Sequence, residues 1–321
     1  MRLGMKRRLL LSLSLAAAVI AGTSAIASAA DDRHDNGHPA RDGATAQLLT
    51  KVARGTSWTQ SAAPLKLNFE TYHPQGMLRV GDRYYMSSVE IIKPTTPCNP
   101  ACDGYDRTPG EGLGHLFEYD QAGNLLRDLT FKDGNAYHPG GIDYDGRYLW
   151  IPVAEYRPNS KAIVYKVDLA KFRATEVLRV DDHIGGVVHD QKNNRLVGIS
   201  WGSRTFYTWN MDGRLKRTAK NPEQFTDFQD CDYLAEGKAA CTGVASLNVG
   251  GQSFQLGGIS LLDLDSLTAI NTVPVTALSA AGNSITRNPT WIEAKGNALQ
   301  LTAVPDDSQS TLLTYTTPAL S

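Results

Sequence analysis

The chain has 321 residues, 20% of them charged, and its 32 Lys and Arg balance 33 Asp and Glu to a net charge of −1. That balance lacks the basic footprint by which a domain binds nucleic acid, so no nucleic-acid partner is expected. Beyond the first thirty residues no stretch is apolar enough to cross a bilayer, so no membrane span is expected either.

Residues 1–30 read as an export signal. Lys6, Arg7 and Arg8 form a positive start, residues 9–20 are almost entirely apolar, and Ala27-Ser28-Ala29 suits cleavage near Ala30. The paired arginines also resemble a twin-arginine signal, which leaves both export routes open. The mature protein is expected to be secreted, as a monomer. Residues 31–60 read as a polar, mobile leader; its first part carries His34 and His38 but no apolar run with which to anchor itself.

From residue 61 to the end the chain reads as one all-β domain. Apolar, β-branched and aromatic residues alternate in runs of five to eight, separated by Gly, Asp and Asn. His73-Pro74-Gln75-Gly76 precedes strands at 83–91, 114–119 and 125–131. The pattern restarts at His138-Pro139-Gly140-Gly141, with strands at 148–154, 162–169 and 175–180. It restarts again at His183-Ile184-Gly185-Gly186, with strands at 195–201, 205–210 and 214–218. Degenerate copies open near Phe228-Gln229-Asp230-Cys231 and near Arg287-Asn288-Pro289-Thr290-Trp291. Repeats of this length, each holding four short strands, predict a five-bladed β-propeller of four-stranded antiparallel blades.

The last copy shows three strands, at 290–294, 298–303 and 311–316. Residues 65–70 supply a fourth from the other end of the chain. Placed outermost in the last blade, that N-terminal strand closes the ring and covers an exposed sheet edge. A sixth blade would need strands between residues 31 and 64, where none is evident. A β-sandwich does not predict the recurring His-x-x-Gly.

The four cysteines suit an oxidising compartment. Cys98 and Cys102 flank a Pro-containing turn, and Cys231 and Cys241 flank Glu236-Gly237, so local pairing is the simplest connectivity. Neither pair has the spacing usual for zinc.

In a propeller the first strand of each blade lines the central channel, and loops entering it share a face with loops joining strands two and three. His73, His138 and His183 hold equivalent places in three successive blades. Gln229 or Asp230, and Arg287 or Asn288, hold that place in the other two. The loop at 93–113, with Tyr105, the turn Glu155-Tyr156-Arg157 and the turn Asp306-Asp307 would overhang the same mouth, with Trp201 near it. Long ordered loops on a rigid scaffold are where binding residues concentrate. The catalytic candidates are therefore His73, His138 and His183, and the ligand-binding candidates Arg287, Gln229, Glu155, Arg157, Tyr105 and Trp201. His-x-x-Gly also has an architectural reading, in which the glycines let inner strands crowd and the histidines bond a neighbouring blade. His189 is expected to be structural, through the Asp190 turn, and His115 to be surface or lid. Trp150 and Trp291 are expected between blades.

Three chemistries suit such a ring. Neutral imidazoles bind divalent transition metals, which would make the three histidines ligands. Histidines with Arg287 could instead clamp an anion while one His or Tyr moves a proton, as in a hydrolase or lyase acting on a sugar acid or phosphoester. The alternative is recognition without turnover, of a small molecule, a carbohydrate or a cell-envelope component. No nucleophile elbow, phosphate loop, zincin motif or calcium loop selects among them.

His73-Pro74-Gln75-Gly76, His138-Pro139-Gly140-Gly141-Ile142-Asp143 with Leu149-Trp150-Ile151-Pro152, and His183-Ile184-Gly185-Gly186 resemble a family of secreted bacterial proteins of unknown function. The resemblance runs from about residue 65 onward. More distantly, the blades are similar to those of glutaminyl-cyclotransferase-like and gluconolactonase- or strictosidine-synthase-like propellers. This implies the fold and carries no catalytic residues across, because the acidic metal ligands of the lactonase group have no matching motif here.

Overall fold

The computed structural model describes residues 38–321; the export signal and His34 lie outside them. Among the described residues, five antiparallel sheets form a five-bladed β-propeller. Blade 1 comprises His73–Val80, Arg83–Lys93, Glu111–Tyr119 and Leu125–Phe131. In blade 2 the inner strand is broken into Ala136–Pro139 and Asp143–Tyr144, followed by Tyr148–Glu155, Ala162–Asp168 and Arg173–Val180. Blade 3 runs through Ile184–Asp190, Arg195–Ser200, Thr205–Asn210 and Leu215–Lys220. Blade 4 uses Asp227–Tyr233, Lys238–Val249, Gln252–Asp263 and Thr268–Val275.

Blade 5 closes the ring. Its inner three strands are Thr290–Lys295, Ala298–Ala303 and Thr311–Thr316. The outermost position is filled from the N-terminal side by two short pieces. Leu65–Lys66 pairs with Thr311 and Leu312, and Thr59–Gln60 pairs with Tyr315 and Thr316. The closing strand is thus shorter than residues 65–70 and extended by a segment that the sequence did not mark as a strand.

Blades stack face to face, so their middle strands are buried on both sides and read as continuous apolar runs. Every residue from Leu149 to Glu155 is buried. Leu149, Ile151 and Val153 pack toward Leu78 and Leu116 of blade 1, while Trp150 and Ala154 pack toward Ile184 and Val187 of blade 3. Outer strands such as Leu215–Lys220 are mostly exposed and keep polar residues.

The axis is solid, because the glycines of the repeat let the inner strands touch. A Cβ on Gly140 would stand 2.2 Å from the Gly185 carbonyl oxygen, and one on Gly76 would stand 2.7 Å from the Ile142 nitrogen. Gly141 and Gly186 form a parallel bridge between blades 2 and 3. Two buried aspartates fill the remaining space. Asp230 accepts the amide N–H of Met77 at 2.8 Å and of Ile142 at 3.2 Å. Asp143 accepts those of His189 at 2.8 Å and Tyr233 at 3.1 Å. Each carboxylate thereby ties three blades together across the axis, Asp230 joining blade 4 to blades 1 and 2 and Asp143 joining blade 2 to blades 3 and 4.

Residues 38–60 are not a mobile leader. His38–Leu49 is an α-helix, and Ala46, Leu48, Leu49 and Val52 are buried against Ile259, Ile292 and Leu301 of blades 4 and 5. Burying the two leucines contributes about 1.5–3 kcal/mol each. The Asn271 amide donates to the carbonyls of Leu49 and Val52, both at 2.9 Å, satisfying acceptors the helix end leaves open. Thr45 accepts the Ala294 N–H at 2.9 Å. Cys98–Cys102 and Cys231–Cys241 are both disulfides, which suits an oxidising, extracytoplasmic environment. No helix among the described residues is long and apolar enough to cross a membrane.

Candidate functional site

Equivalent positions at the start of three successive inner strands bring His73, His138 and His183 together. Their ring centroids are 6.4 Å apart from His73 to His138 and 6.0 Å from His138 to His183. His138 stacks on Tyr156 at 4.2 Å, and His183 meets Trp201 edge-on at 4.7 Å.

The three imidazoles differ in what holds them. His73 Nδ1 lies 2.9 Å from Asp307 Oδ1. A carboxylate only accepts, so Nδ1 carries the proton and neutral His73 presents a lone pair on Nε2. Asp307 is fixed in turn by Asn288 at 3.0 Å and by the Arg287 guanidinium at 3.1 Å. Burial pushes the Asp307 carboxyl up, but His73 and Arg287 outweigh it and hold it down at about 2. His183 Nδ1 donates to the Glu155 carbonyl at 2.8 Å, which again leaves the lone pair on Nε2. Burial drives the His183 imidazole down to about 4.

His138 is the unusual member. It is 5% exposed, and neither of its ring nitrogens has a hydrogen-bond partner. Burial, reinforced by the neighbouring His183 and His73, holds it well below the usual histidine value. It is therefore neutral at pH 7, with a donor and an acceptor both unspent. Buried polar groups are ordinarily satisfied, and an exception calls for a cause.

The remaining sequence candidates divide. Arg287 reaches the ring through Asp307. Glu155 contributes its carbonyl to His183, while its carboxylate pairs with the buried Arg157, with Oε2 2.7 Å from Nε. The Arg157 guanidinium lies 3.6 Å from the Tyr105 ring centroid, and Trp201 lies under Arg107 at 5.3 Å. Gln229 is the exception. It occupies a bulge between Phe228 and Asp230 and makes no hydrogen bond to the ring, while Asp230 turns to the axis. His189 is structural: its Nδ1 lies 3.0 Å from Asp145 of blade 2, and its Nε2 lies 3.3 Å from Asn194 in the turn that follows Asp190. His115 is buried, stacked between Tyr72 and Phe117, and is neither surface nor lid.

Asp307, Tyr156 and Arg107 also stand at this candidate site, against His73, His138 and Trp201 in turn. The first two sit in the turns Asp306-Asp307 and Glu155-Tyr156-Arg157, so their place at the mouth was readable although their roles were not. Burial raises the Tyr156 phenol, which makes it a donor rather than a base.

His138 and His183 are only 5% and 4% exposed, so the mouth is narrow at these two rings. Among the described residues no group of three or more His, Cys, Asp or Glu is arranged to hold a metal ion.

No curated protein matches this chain. Among solved structures it is similar to a luciferin-regenerating enzyme, at 12% identity and a TM-score of 0.45, over 83% of this chain and 96% of that one. It is also similar to the tail fiber of Staphylococcus aureus phage P68, at 9% identity and a TM-score of 0.45, over 84% of this chain and 54% of that one. Kuenenia stuttgartiensis hydrazine synthase matches at 12% identity and a TM-score of 0.38, over 79% of this chain and 59% of that one. The profile of the family of unknown function DUF6454 matches residues 42–319, and the chain belongs to that family.

Proposed function

We propose that this propeller is a hydrolase or lyase acting on a small anionic ligand, of the sugar-acid or phosphoester class, at the His73–His138–His183 ring. The observation that carries this reading is the Asp307–His73 pair, 2.9 Å apart and braced by Arg287 and Asn288. An ionised carboxylate behind Nδ1 fixes the tautomer and stabilises the imidazolium that forms when Nε2 takes a proton. In hydrolysis, His73 Nε2 takes a proton from water as its oxygen bonds to the reacting centre. The same proton then passes from His73 to the departing oxygen. In elimination, His73 takes the proton from carbon and returns it to the leaving group. Neutral His138 contributes a hydrogen bond rather than a proton. Of the mouth's guanidiniums, Arg107 is the readiest to turn to an anion. Its carboxylate partner is the exposed neighbour Asp106 at 2.9 Å, and such surface pairs hold weakly.

Recognition without turnover is the second reading. It is favoured by the side chains themselves, since the ring holds no Ser or Cys nucleophile and all four cysteines are in disulfides. Wild type, His73→Ala and Asp307→Asn assayed against uronic-acid glycosides, sugar-acid lactones and phosphoesters separate the two. Catalysis predicts turnover reduced at least about 100-fold in either variant. Turnover untouched by His73→Ala overturns the assignment. A ligand that raises the wild-type melting temperature without forming product leaves the binding reading in its place.

A further inference from the structure

We propose that the disulfide-pinned hairpin Pro97–Arg107 is a lid over the imidazole ring, held shut by two arginine–aromatic stacks that cross the mouth. The proposal rests on the reading of the ring as the ligand site and adds how that site is opened. One stack places the Arg157 guanidinium, from the body, 3.6 Å from the centroid of Tyr105 on the hairpin. The other places Arg107, from the hairpin, 5.3 Å from the centroid of Trp201 on the body. The two stacks point in opposite senses, each side supplying one cation and one ring.

Three features make this segment a moving part rather than a wall. Its two short strands, Pro97–Cys102 and Tyr105–Arg107, pair only with each other, so the hairpin belongs to no blade. The Cys98–Cys102 bridge and the Thr96–Thr108 hydrogen bonds at 2.9 Å fasten it to itself, so it would swing as one piece. No residue from Ile92 to Glu111 is buried, so little apolar surface anchors it to the propeller. Its root is firm, because the Tyr137 hydroxyl donates to the Pro109 carbonyl at 2.7 Å and Gly112 packs on the Tyr137 ring. Motion would therefore be confined to the hairpin beyond the root.

What the lid covers gives it a purpose. His138 lies beneath the mouth with both nitrogens unpaired, an arrangement that is unfavourable in the closed form and is relieved when water or a ligand enters. Opening also withdraws Arg107 from Trp201, which frees the guanidinium proposed above to meet an anion. Closure would return it over the bound group and exclude water, as lids do.

Diethylpyrocarbonate labelling of the full chain, read histidine by histidine by peptide mass spectrometry, tests the lid without any ligand. The reagent attacks neutral imidazole, the form His138 holds. His115, buried against Tyr72 and Phe117, and His189, buried against Asp145 and Asn194, serve as internal references. Tyr105→Ala/Arg107→Ala removes both latches, and its His138 labelling should rise about five- to thirtyfold, the range two such stacks control, with the references unchanged. Tyr105→Phe/Arg107→Lys keeps a ring and a cation, and should label like wild type. Unchanged His138 labelling in the alanine variant overturns the lid. So does a parallel rise at His115 and His189, or a conservative variant that behaves like the alanine one. Because no turnover is measured, failure of the lid is distinguishable from failure of the catalytic reading.

Discussion

Replacing Asp230 by Asn removes one titrating proton from the propeller axis while keeping the side chain's size. Burial pushes the Asp230 carboxyl up to about 8 despite the amides that bind it, with Asp143 adding repulsion. Burial likewise pushes Asp143 up to about 7. The two titrate as a pair. A raised carboxyl favours the folded state below its unfolded value near 3.9. That contribution is lost as pH rises through the folded values, about 7 and about 8. His138 and His183 act with the opposite sign. Their folded values are depressed, so the unfolded chain binds their protons and stability grows as pH climbs to about 6.5. Two groups of each sign therefore offset one another on the acid side. Above about pH 6.5 the imidazoles of His138 and His183 are spent, and the carboxylates act together with His189. Asp145 raises that imidazole despite its burial, so it works in the same direction. One proton over the interval from pH 6.5 to 8 is worth about 2 kcal/mol. With an unfolding entropy near 0.6 kcal/mol per kelvin for a domain of this size, that is about 3 °C. Urea and thermal unfolding at half-unit steps should show wild type declining across this interval and Asp230→Asn declining less by about that amount. The slope is the readout, since the amide also places an N–H₂ against a backbone donor and lowers stability at every pH. Parallel curves, or a wild-type stability that rises from pH 6.5 to 8, would refute the reasoning.

Gly140→Ala should cost at least about 3 kcal/mol, because its Cβ would sit 2.2 Å from the Gly185 carbonyl and only backbone could yield; Gly55→Ala, with nothing within 4 Å, should leave the melting temperature unchanged. Leu49→Ala, at a position 2% exposed in the core shared by the helix and blades 4 and 5, should cost about 2–5 kcal/mol by urea unfolding, whereas a mobile leader would show no change.

The blades were legible because a buried strand in a stacked sheet has a signature that tertiary context rarely overrides. The three inner strands of blade 5 end within a residue or so of their sequence bounds. The helix was missed for the converse reason. Within His38–Leu49 the only large apolar residues are Leu48 and Leu49, adjacent at its last turn, so no helical spacing marks it. Which residue faces the axis was beyond reach at blade 4, since a bulge between Phe228 and Asp230 exchanges inward and outward positions within one step. The histidine register survived because His-x-x-Gly fixes it locally. The partners of those histidines did not, because Asp307 and Tyr156 come from loops, where no periodicity says which side chain turns inward.

The same glycines that made the repeat visible also limit what the site can be. Crowding at Gly76, Gly140 and Gly141 brings inner strands of four blades into contact, and Asp143 and Asp230 occupy what space remains between them. A ligand at the proposed site would therefore have no passage along the axis and would have to enter and leave on the histidine face. Such a blind-ended site places the whole control of access in the loops above it. Of these, the hairpin at 97–107 carries two arginine–aromatic contacts into the mouth, and Asp307 fixes the first imidazole from another. The rigid axis and the hinged loop are then complementary requirements. An imidazole can be held with two unpaired nitrogens only where the scaffold cannot collapse around it, and it can be reached only where something above it moves.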